Sequence, residues 1–146
     1  MKISGSYTVP VSRPRAYQLL QDPVILAQCM PGTDHLDKVG DDEYNMKMKM
    51  SIASIGGLFS GKVRLADKTP PEKFRLIVDG TGKIGFLKGE GLLTLVEAGA
   101  ATDVKYEGEV QVGGTIASVG QRMIDTTARL IIKKFFEKLS EVAKPE

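Results

Sequence analysis

The chain has 146 residues, the usual size of one domain, and is long enough to bury one continuous core. Its hydrophobic fraction of 42% and charged fraction of 26% are those of a folded protein, which excludes an intrinsically disordered chain. The 20 Lys and Arg residues nearly balance the 18 Asp and Glu residues, and the small net charge of +2 excludes a nucleic-acid-binding protein, which would carry a basic stripe.

The chain has one cysteine, Cys29, and one histidine, His35. A single cysteine excludes a disulfide within the chain and fits a reducing compartment. A single histidine leaves little for a zinc site or for histidine-based catalysis, so we expect no metal and no cofactor. The N-terminus lacks the apolar segment of a signal peptide, and no stretch reaches the roughly 18 apolar residues of a membrane span. We therefore expect a cytoplasmic protein with at most peripheral membrane contact.

The N-terminal segment predicts one strand followed by two short helices. Residues Lys2–Val9 alternate with a period of two, which is typical of a half-buried strand. Ser12 is a suitable N-cap for a short helix, which breaks near Asp22-Pro23. A second short helix follows over Val24–Cys29 and stops before Pro31-Gly32, because Pro-Gly is a strong turn signal.

From about residue 34 to residue 112 the pattern changes to roughly six strands separated by turns. The clearest strand is Tyr44–Ile52, whose odd positions are polar and whose even positions are Tyr, Met, Met, Met and Ile. This alternation predicts an antiparallel strand with one wet and one dry face. The predicted breaks between the later strands lie at Gly56-Gly57, Pro70-Pro71, Asp79-Gly80 and residues 97–101.

The tail switches period, with apolar residues at steps of three and four from Ile116 to Val142. This spacing predicts one amphipathic helix of nearly 30 residues, and the dry strand faces are the only surface large enough to receive it. We therefore predict a single α+β domain over residues 1–146, in which a curved antiparallel sheet of about seven strands wraps around a long C-terminal helix. The helix covers only part of the concave face, and glycines inside the strands leave room beside it.

This space is the candidate site for a mostly apolar ligand. The residues predicted to line it are Tyr44, Met46, Met48, Met50, Phe59, Phe74, Phe86, Tyr106, Met123 and Thr127. The methionines have two interpretations, since flexible thioethers suit an adaptable pocket but also pack well against a helix. Thr127 has two as well, because its hydroxyl either bonds back to the carbonyl four residues earlier or holds a ligand oxygen.

Several segments in the same order along nearly the whole chain resemble a known family. They are Asp22-Pro23 to Leu26 with Cys29 and Pro31-Gly32, then Gly57–Val63, Gly85–Gly91, Val112–Gly114 leading to Gly120–Ile124, and Phe135-Phe136. With this order of elements, the chain resembles the helix-grip superfamily of START-like and Bet v1-like domains and, more narrowly, the CoxG family of carbon monoxide dehydrogenase proteins. The resemblance implies a non-enzymatic protein that holds a lipid or quinone-like molecule and accompanies a molybdenum-containing carbon monoxide dehydrogenase or hydroxylase.

Two other functions stay open from the residues. A cyclase- or hydratase-like enzyme would need acid and base groups gathered in the cavity, and the candidates are Tyr44, Tyr106, His35 and Glu90. Cys29 and His35 are six residues apart and are candidates for a nucleophile and its base, although a lone cysteine at the end of an apolar helix is usually buried and inert. A module that binds only a protein partner would expose a large apolar patch. The oligomeric state cannot be predicted from these patterns.

Overall fold

The computed structural model describes residues 1–52 and 55–143, with the elements in the order that the sequence predicts. The strands are β1 Lys2–Val9, β2 Thr33–Gly40, β3 Glu43–Ile52, β4 Ile55–Thr69, β5 Lys73–Gly82, β6 Gly85–Ala98 and β7 Ala101–Gly113. The helices are α1 Arg13–Leu20, α2 Pro23–Cys29 and α3 Gln121–Val142, with a 3₁₀ turn at Thr115–Val119 before α3.

The seven strands form one antiparallel sheet in the order β1-β7-β6-β5-β4-β3-β2. Consecutive strands from β2 to β7 are neighbours, and β1 lies beside β7 at the far edge. The segment containing α1 and α2 therefore connects the two edges of the sheet. This architecture confirms the predicted α+β helix-grip fold.

Local chemistry explains where the helices begin. Asp22 caps α2, since its carboxylate accepts a hydrogen bond from the Val24 N–H at 2.9 Å. Ser12 occupies the cap position of α1, but there the backbone carbonyl, and not the hydroxyl, accepts from the Ala16 N–H at 2.8 Å. Gly120 has a φ of 93°, a conformation that favours glycine, and this break divides the predicted single C-terminal helix into the 3₁₀ turn and α3.

Two of the predicted strand breaks are wrong. Asp79-Gly80 lies inside β5, and Gly56-Gly57 lies inside β4, while residues 53 and 54 fall outside the described residues. Gly80 is buried on the concave face, where the Met46 and Phe59 side chains approach it closely. Gly80 therefore allows close packing inside a strand. The Asp-Gly sequence alone does not distinguish such a packing glycine from one in a turn.

The apolar interior has a large cluster at one end, a smaller cluster at the other, and a third cluster of Met46, Met48 and Val63 between them on β3 and β4. The large cluster joins α1, α2 and the C-terminal half of α3 to the sheet, and it includes Leu20, Phe74, Leu95, Val104 and Leu139. The small cluster consists of Phe59 and Ile116 with partly buried neighbours such as Leu87 and Val112. Along β6 and β7, two inward-facing positions separate the clusters, and this middle zone contains the candidate site.

Candidate ligand-binding cleft

The middle of the concave face is only half covered, although it belongs to the central strands of the sheet. Leu76 and Val78 of β5 and Leu87 of β6 face inward and remain partly exposed. The inward side chains at the filled end of the same strands, Phe74 and Leu95, are 1% and 2% exposed. The space between this part of the sheet and α3 is therefore open to solvent, and we call it the cleft.

Helix α3 leaves the cleft open because it packs tightly along only half of its length. Its buried residues, Phe135, Phe136 and Leu139, all lie in the C-terminal half. In the N-terminal half, the side chains on the same side of the helix, such as Ile124 and Ala128, are only half-buried. The helix thus holds the sheet at one end and stands away from it at the other.

Glycines form much of the floor of the cleft. Gly91 of β6 pairs with Gly108 of β7, and Gly89 lies between the inward-facing residues Val78 and Val110. A Cβ added at Gly89 would meet a single described atom, the Glu109 carbonyl oxygen at 3.9 Å. The glycines therefore leave the floor without side chains between the apolar residues Val78 and Val110.

The predicted methionine face borders the cleft. Met46 and Met48 are buried together with Val63, in a cluster separate from that of Phe59 and Ile116. Its partly buried neighbours include Met50, Leu36, Leu76, Val78 and Leu87. Three of these neighbours are the half-exposed residues that define the cleft. The methionines thus pack in the interior and also form the layer next to the open space, so both sequence interpretations remain compatible with their position.

The other predicted aromatic residues are divided between the ends of the interior. Phe74 belongs to the filled end, where its ring meets Tyr17 edge to face at a centroid distance of 5.6 Å. Tyr44 is part of the same cluster, and Phe59 belongs to the small cluster with Ile116. These three side chains form the boundaries of the cleft by packing against protein.

Phe86 and Met123 do not face the cleft. Phe86 precedes the inward-facing Leu87, so it lies on the convex face of the sheet, 39% exposed, with its ring over Gly113. Met123 is 41% exposed on the solvent side of α3. Because Gly120 interrupts the helix, the phase of α3 does not continue from Ile116, and this shift explains why the position of Met123 differs from the prediction.

Thr127 lies half-buried on the flank of α3. The hydrogen bond to the carbonyl four residues earlier is made by its neighbour, where the Thr126 hydroxyl donates to the Arg122 carbonyl at 2.9 Å. Within the described residues Thr127 makes no such bond. A ligand-holding role for its hydroxyl stays a prediction.

Tyr106 stands at the boundary between the filled end and the cleft. Its ring stacks with Tyr7 of β1 and Phe136 of α3, in both cases at a centroid distance of 6.3 Å. It also lies across Gly5, since a Cβ added there would be 2.5 Å from the Tyr106 hydroxyl oxygen. Burial raises the pKa of Tyr106, Tyr7 adds to the rise and the charge of Arg129 opposes it, so the hydroxyl stays protonated at neutral pH.

Asp125 and Arg129 add a polar group that the sequence patterns did not single out. The Arg129 Nε donates to the Asp125 Oδ2 at 3.0 Å, and this bond raises the pKa of Arg129. Arg129 lies four residues after Asp125 and seven residues before Phe136, so the three side chains share one side of α3. The charged pair therefore occupies the turns of α3 that run alongside the cleft, near Tyr106. The sequence feature that could have indicated this pair is the change along one stripe of α3 from the charged Asp125 and Arg129 to the apolar Phe136.

The candidate groups for an enzyme are not brought together. Glu90 lies on the convex face and accepts a hydrogen bond from Arg75 Nη1 at 3.2 Å. His35 is exposed on β2, where its Nε2 is 3.4 Å from the Asp37 carboxylate. Cys29 is buried in α2, and burial raises the pKa of its thiol to about 11, with the charge of Lys138 opposing the rise. The thiol is therefore protonated at neutral pH and lacks the exposure of a nucleophile.

Two grooves lie on the outer surface, away from the cleft. One of about 500 Å³ crosses the convex face at β2, β3 and β4 and contains the exposed His35 and Asp37, together with Lys47 and Lys62. The other, of about 770 Å³, lies between α1 and the Pro70-Pro71 turn. Both are open and largely solvated. In residues 1–52 and 55–143, no group of three or more His, Cys, Asp or Glu side chains is placed to hold a metal ion.

Comparison with known proteins places this geometry in a family. The family model that describes CoxG, a subunit of carbon monoxide dehydrogenase, matches residues 5–144. A conserved protein from Geobacillus kaustophilus is 30% identical, with a TM-score of 0.93 over 98% of this chain and 95% of that chain. Comparison with curated proteins gives no match.

More distant solved structures share the fold alone. A START superfamily protein from Mycobacterium smegmatis has a TM-score of 0.73 at 15% identity, over 97% of this chain and 96% of that one. The Zhui aromatase/cyclase from Streptomyces sp. R1128 has a TM-score of 0.68 at 11% identity, over 98% and 93% of the two chains. Of the helices in the described ranges, none has the length and apolar character needed to cross a membrane.

Proposed function

The chain belongs to the CoxG family of carbon monoxide dehydrogenase proteins, and we propose that it binds a hydrophobic small molecule, a lipid or quinone-like compound, in the cleft. The observation that carries this proposal is the partial exposure of Leu76, Val78 and Leu87 on central strands of the sheet. Apolar side chains at such positions are ordinarily covered, and a ligand that covers them gains about 25 cal/mol per Å² of buried apolar surface. Shape and apolar area would therefore supply most of the affinity.

A binding role is better supported than catalysis. Of the acid and base candidates, His35 and Glu90 lie on the outside of the sheet, and only Tyr44 and Tyr106 face inward. Tyr44 is buried within the filled end, which leaves Tyr106 as the single candidate beside the cleft. The fold shared with an aromatase/cyclase at 11% identity does not supply the missing groups, since one fold serves many functions.

A ligand-binding role is also better supported than a pure interaction module. In the part of the chain that the structure describes, seven large apolar side chains are exposed, and they are distributed over five elements: Val24 on α2, Val39 on β2, Leu58 on β4, Phe86 and Val96 on β6, and Met123 and Leu130 on α3. Singly scattered apolar side chains are normal on protein surfaces, whereas a docking surface would gather them in one patch.

Native mass spectrometry of the purified protein, followed by solvent extraction, tests the binding role. We expect a species heavier than the chain by one apolar molecule, which organic extraction releases and which can then be identified. A protein that carries no molecule and also fails to bind N-phenyl-1-naphthylamine, a neutral apolar fluorescent probe, would contradict the proposal.

The family description further suggests a partner. We propose that the chain serves a molybdenum-containing carbon monoxide dehydrogenase as a non-enzymatic accessory protein in the cytoplasm, and family membership is what supports this step. Sedimentation velocity of the mixed, purified proteins should show a complex that is absent from either protein alone. Independent sedimentation at tens of micromolar of each protein would contradict the partnership.

A further inference from the structure

The polar groups beside the cleft restrict the chemistry of the ligand that the proposed function requires. Arg129 uses its Nε for the bond to Asp125 at 3.0 Å, and among the hydrogen bonds formed by described residues none involves its two terminal nitrogens. These nitrogens carry four of the five N–H donors of the guanidinium group. The Tyr106 hydroxyl likewise makes no hydrogen bond to a described residue; it lies over Gly5 of the edge strand β1, where the charge of Arg129 acts on it.

The charge balance near Arg129 favours an anion. The segment from residue 122 to residue 133 contains three cations, Arg122, Arg129 and Lys133, and a single acid, Asp125. Asp125 already accepts from Arg129, so the flank of α3 beside the cleft keeps a net positive charge. The inward positions of β1 and β7 on this side of the sheet include Gly5, Tyr7, Tyr106 and Gly108, which contribute no charge to compensate it.

Donors at one end and apolar walls beyond them fit an amphiphilic molecule. We propose that the ligand has an apolar body and a head bearing an anionic oxygen, which Arg129 and Tyr106 hold at the mouth of the cleft. Guanidinium groups bind anionic oxygens more strongly than neutral ones, because charge-assisted hydrogen bonds are the stronger class. The inference rests on the proposed function, which supplies the apolar part of the site.

Two fluorescent probes with one carbon skeleton separate the two parts of the site. N-phenyl-1-naphthylamine is neutral, whereas 1-anilinonaphthalene-8-sulfonate is the same skeleton with a sulfonate. The neutral probe reports the apolar cleft, and the affinity ratio of the two probes reports the anion-binding groups. The chain has no tryptophan, so its own fluorescence interferes little with either titration.

Arg129→Gln should weaken binding of the sulfonate probe about fivefold, the upper range for losing a charge-assisted hydrogen bond at an exposed side chain. It should change binding of the neutral probe less than about twofold, since the apolar walls stay intact. Tyr106→Phe should lower affinity for the sulfonate probe about threefold with the neutral probe unchanged. The control is Lys134→Gln, a change at an exposed cation of the same helix, which should leave both affinities as they are.

Asp125→Asn distinguishes an anion-binding role of Arg129 from a helix-stabilising one. Asp125 and Arg129 form an i,i+4 ion pair. If this pair only stabilised the helix, Asp125→Asn and Arg129→Gln would both weaken binding of the sulfonate probe. An anion-binding role predicts opposite signs, because removing the acid frees Arg129 and should strengthen sulfonate binding about threefold. Circular dichroism should show thermal midpoints within about 3 °C of the parent for both variants, since exposed ion pairs contribute little to stability.

The outcomes separate the two proposals. If the neutral probe binds and Arg129→Gln leaves the sulfonate affinity unchanged, or lowers both affinities equally, the anion-binding inference is overturned while the apolar cleft stands. If the neutral probe does not bind to the parent protein, the proposed function fails, and the inference that rests on it fails with it.

Discussion

Gly89→Leu should fill the cleft and make the protein more stable at the same time. Gly89 lies on the floor between Val78 and Val110, and a Cβ there would meet only the Glu109 carbonyl oxygen, at the comfortable distance of 3.9 Å. Its φ is not in the left-handed region, so an L-residue can adopt the existing backbone. A leucine side chain would then project into the open space.

The expected loss of affinity follows from the surface that the leucine blocks. A leucine in the cleft displaces a ligand from about 60 Å² of apolar contact, which at about 25 cal/mol per Å² amounts to about 1.5 kcal/mol, or about tenfold in Kd. Stability should change in the opposite direction. Replacing an unstrained glycine lowers the entropy of the unfolded chain and contributes about 0.4–1 kcal/mol of stabilisation, which raises Tm by about 2–4 °C.

The assay is a fluorescence titration with N-phenyl-1-naphthylamine, combined with thermal unfolding followed by circular dichroism. Lys88→Leu is the matched control, since it adds the same side chain one residue earlier on the convex face and should leave the affinity unchanged. A Gly89→Leu variant that bound the probe as tightly as the parent, or a control that lost as much affinity as the test variant, would refute this placement of the ligand.

Three further predictions concern the placement of individual side chains. Phe86→Ala should leave probe affinity and stability nearly unchanged. Phe59→Ala, at a wholly buried position, should lower the free energy of unfolding by about 3–5 kcal/mol in urea titrations. Equal effects of the two variants on stability would contradict the assigned faces. Thr102→Val should lower the free energy of unfolding by about 1–3 kcal/mol in the same titrations. The buried Thr102 hydroxyl donates to the Val11 carbonyl at 2.8 Å, and the variant leaves that carbonyl unpaired. An unchanged free energy of unfolding would show that the bond is dispensable. The Cys29 thiol has a folded pKa raised from 9.0 to about 11, so it stays protonated when the unfolded chain ionises, and its contribution to stability should be lost as pH rises from about 9 towards 11. Cys29→Ala should show a shallower fall in unfolding free energy over that window, and parallel curves would contradict the raised pKa.

The fold could be predicted because it rests on two different periodicities. The strict alternation of Tyr44–Ile52 specifies a strand with one dry face, and the steps of three and four in the tail specify a helix. Together they leave few ways to bury both surfaces in a single domain. The positions of glycines were less informative, since Gly80 and Gly57 lie within strands and Gly120 interrupts a helix.

The site could be predicted only in part, since it depends on phase and on contacts between distant segments. Phe86 and Leu87 are adjacent apolar residues at the start of β6, and only one of them can face inward; alternation alone does not say which. The charge of Arg129 acts on Tyr106 only because α3 packs against this edge of the sheet, where Phe136 stacks on Tyr7 and Tyr106, residues far apart from it in the sequence. The division of the interior into filled and open zones follows from the tertiary packing of α3, to which no local pattern corresponds.

Methyl NMR with labelled isoleucine, leucine and valine tests ligand binding in the cleft most directly, because a chain of 146 residues gives resolvable methyl spectra and the two faces of the sheet carry separate reporters. During titration with N-phenyl-1-naphthylamine, we predict large shifts at Leu76, Val78 and Leu87 in the cleft and none at Leu58 and Val96 on the convex face. Shifts confined to the convex-face methyls, or no shifts at saturating probe, would contradict binding between the sheet and α3.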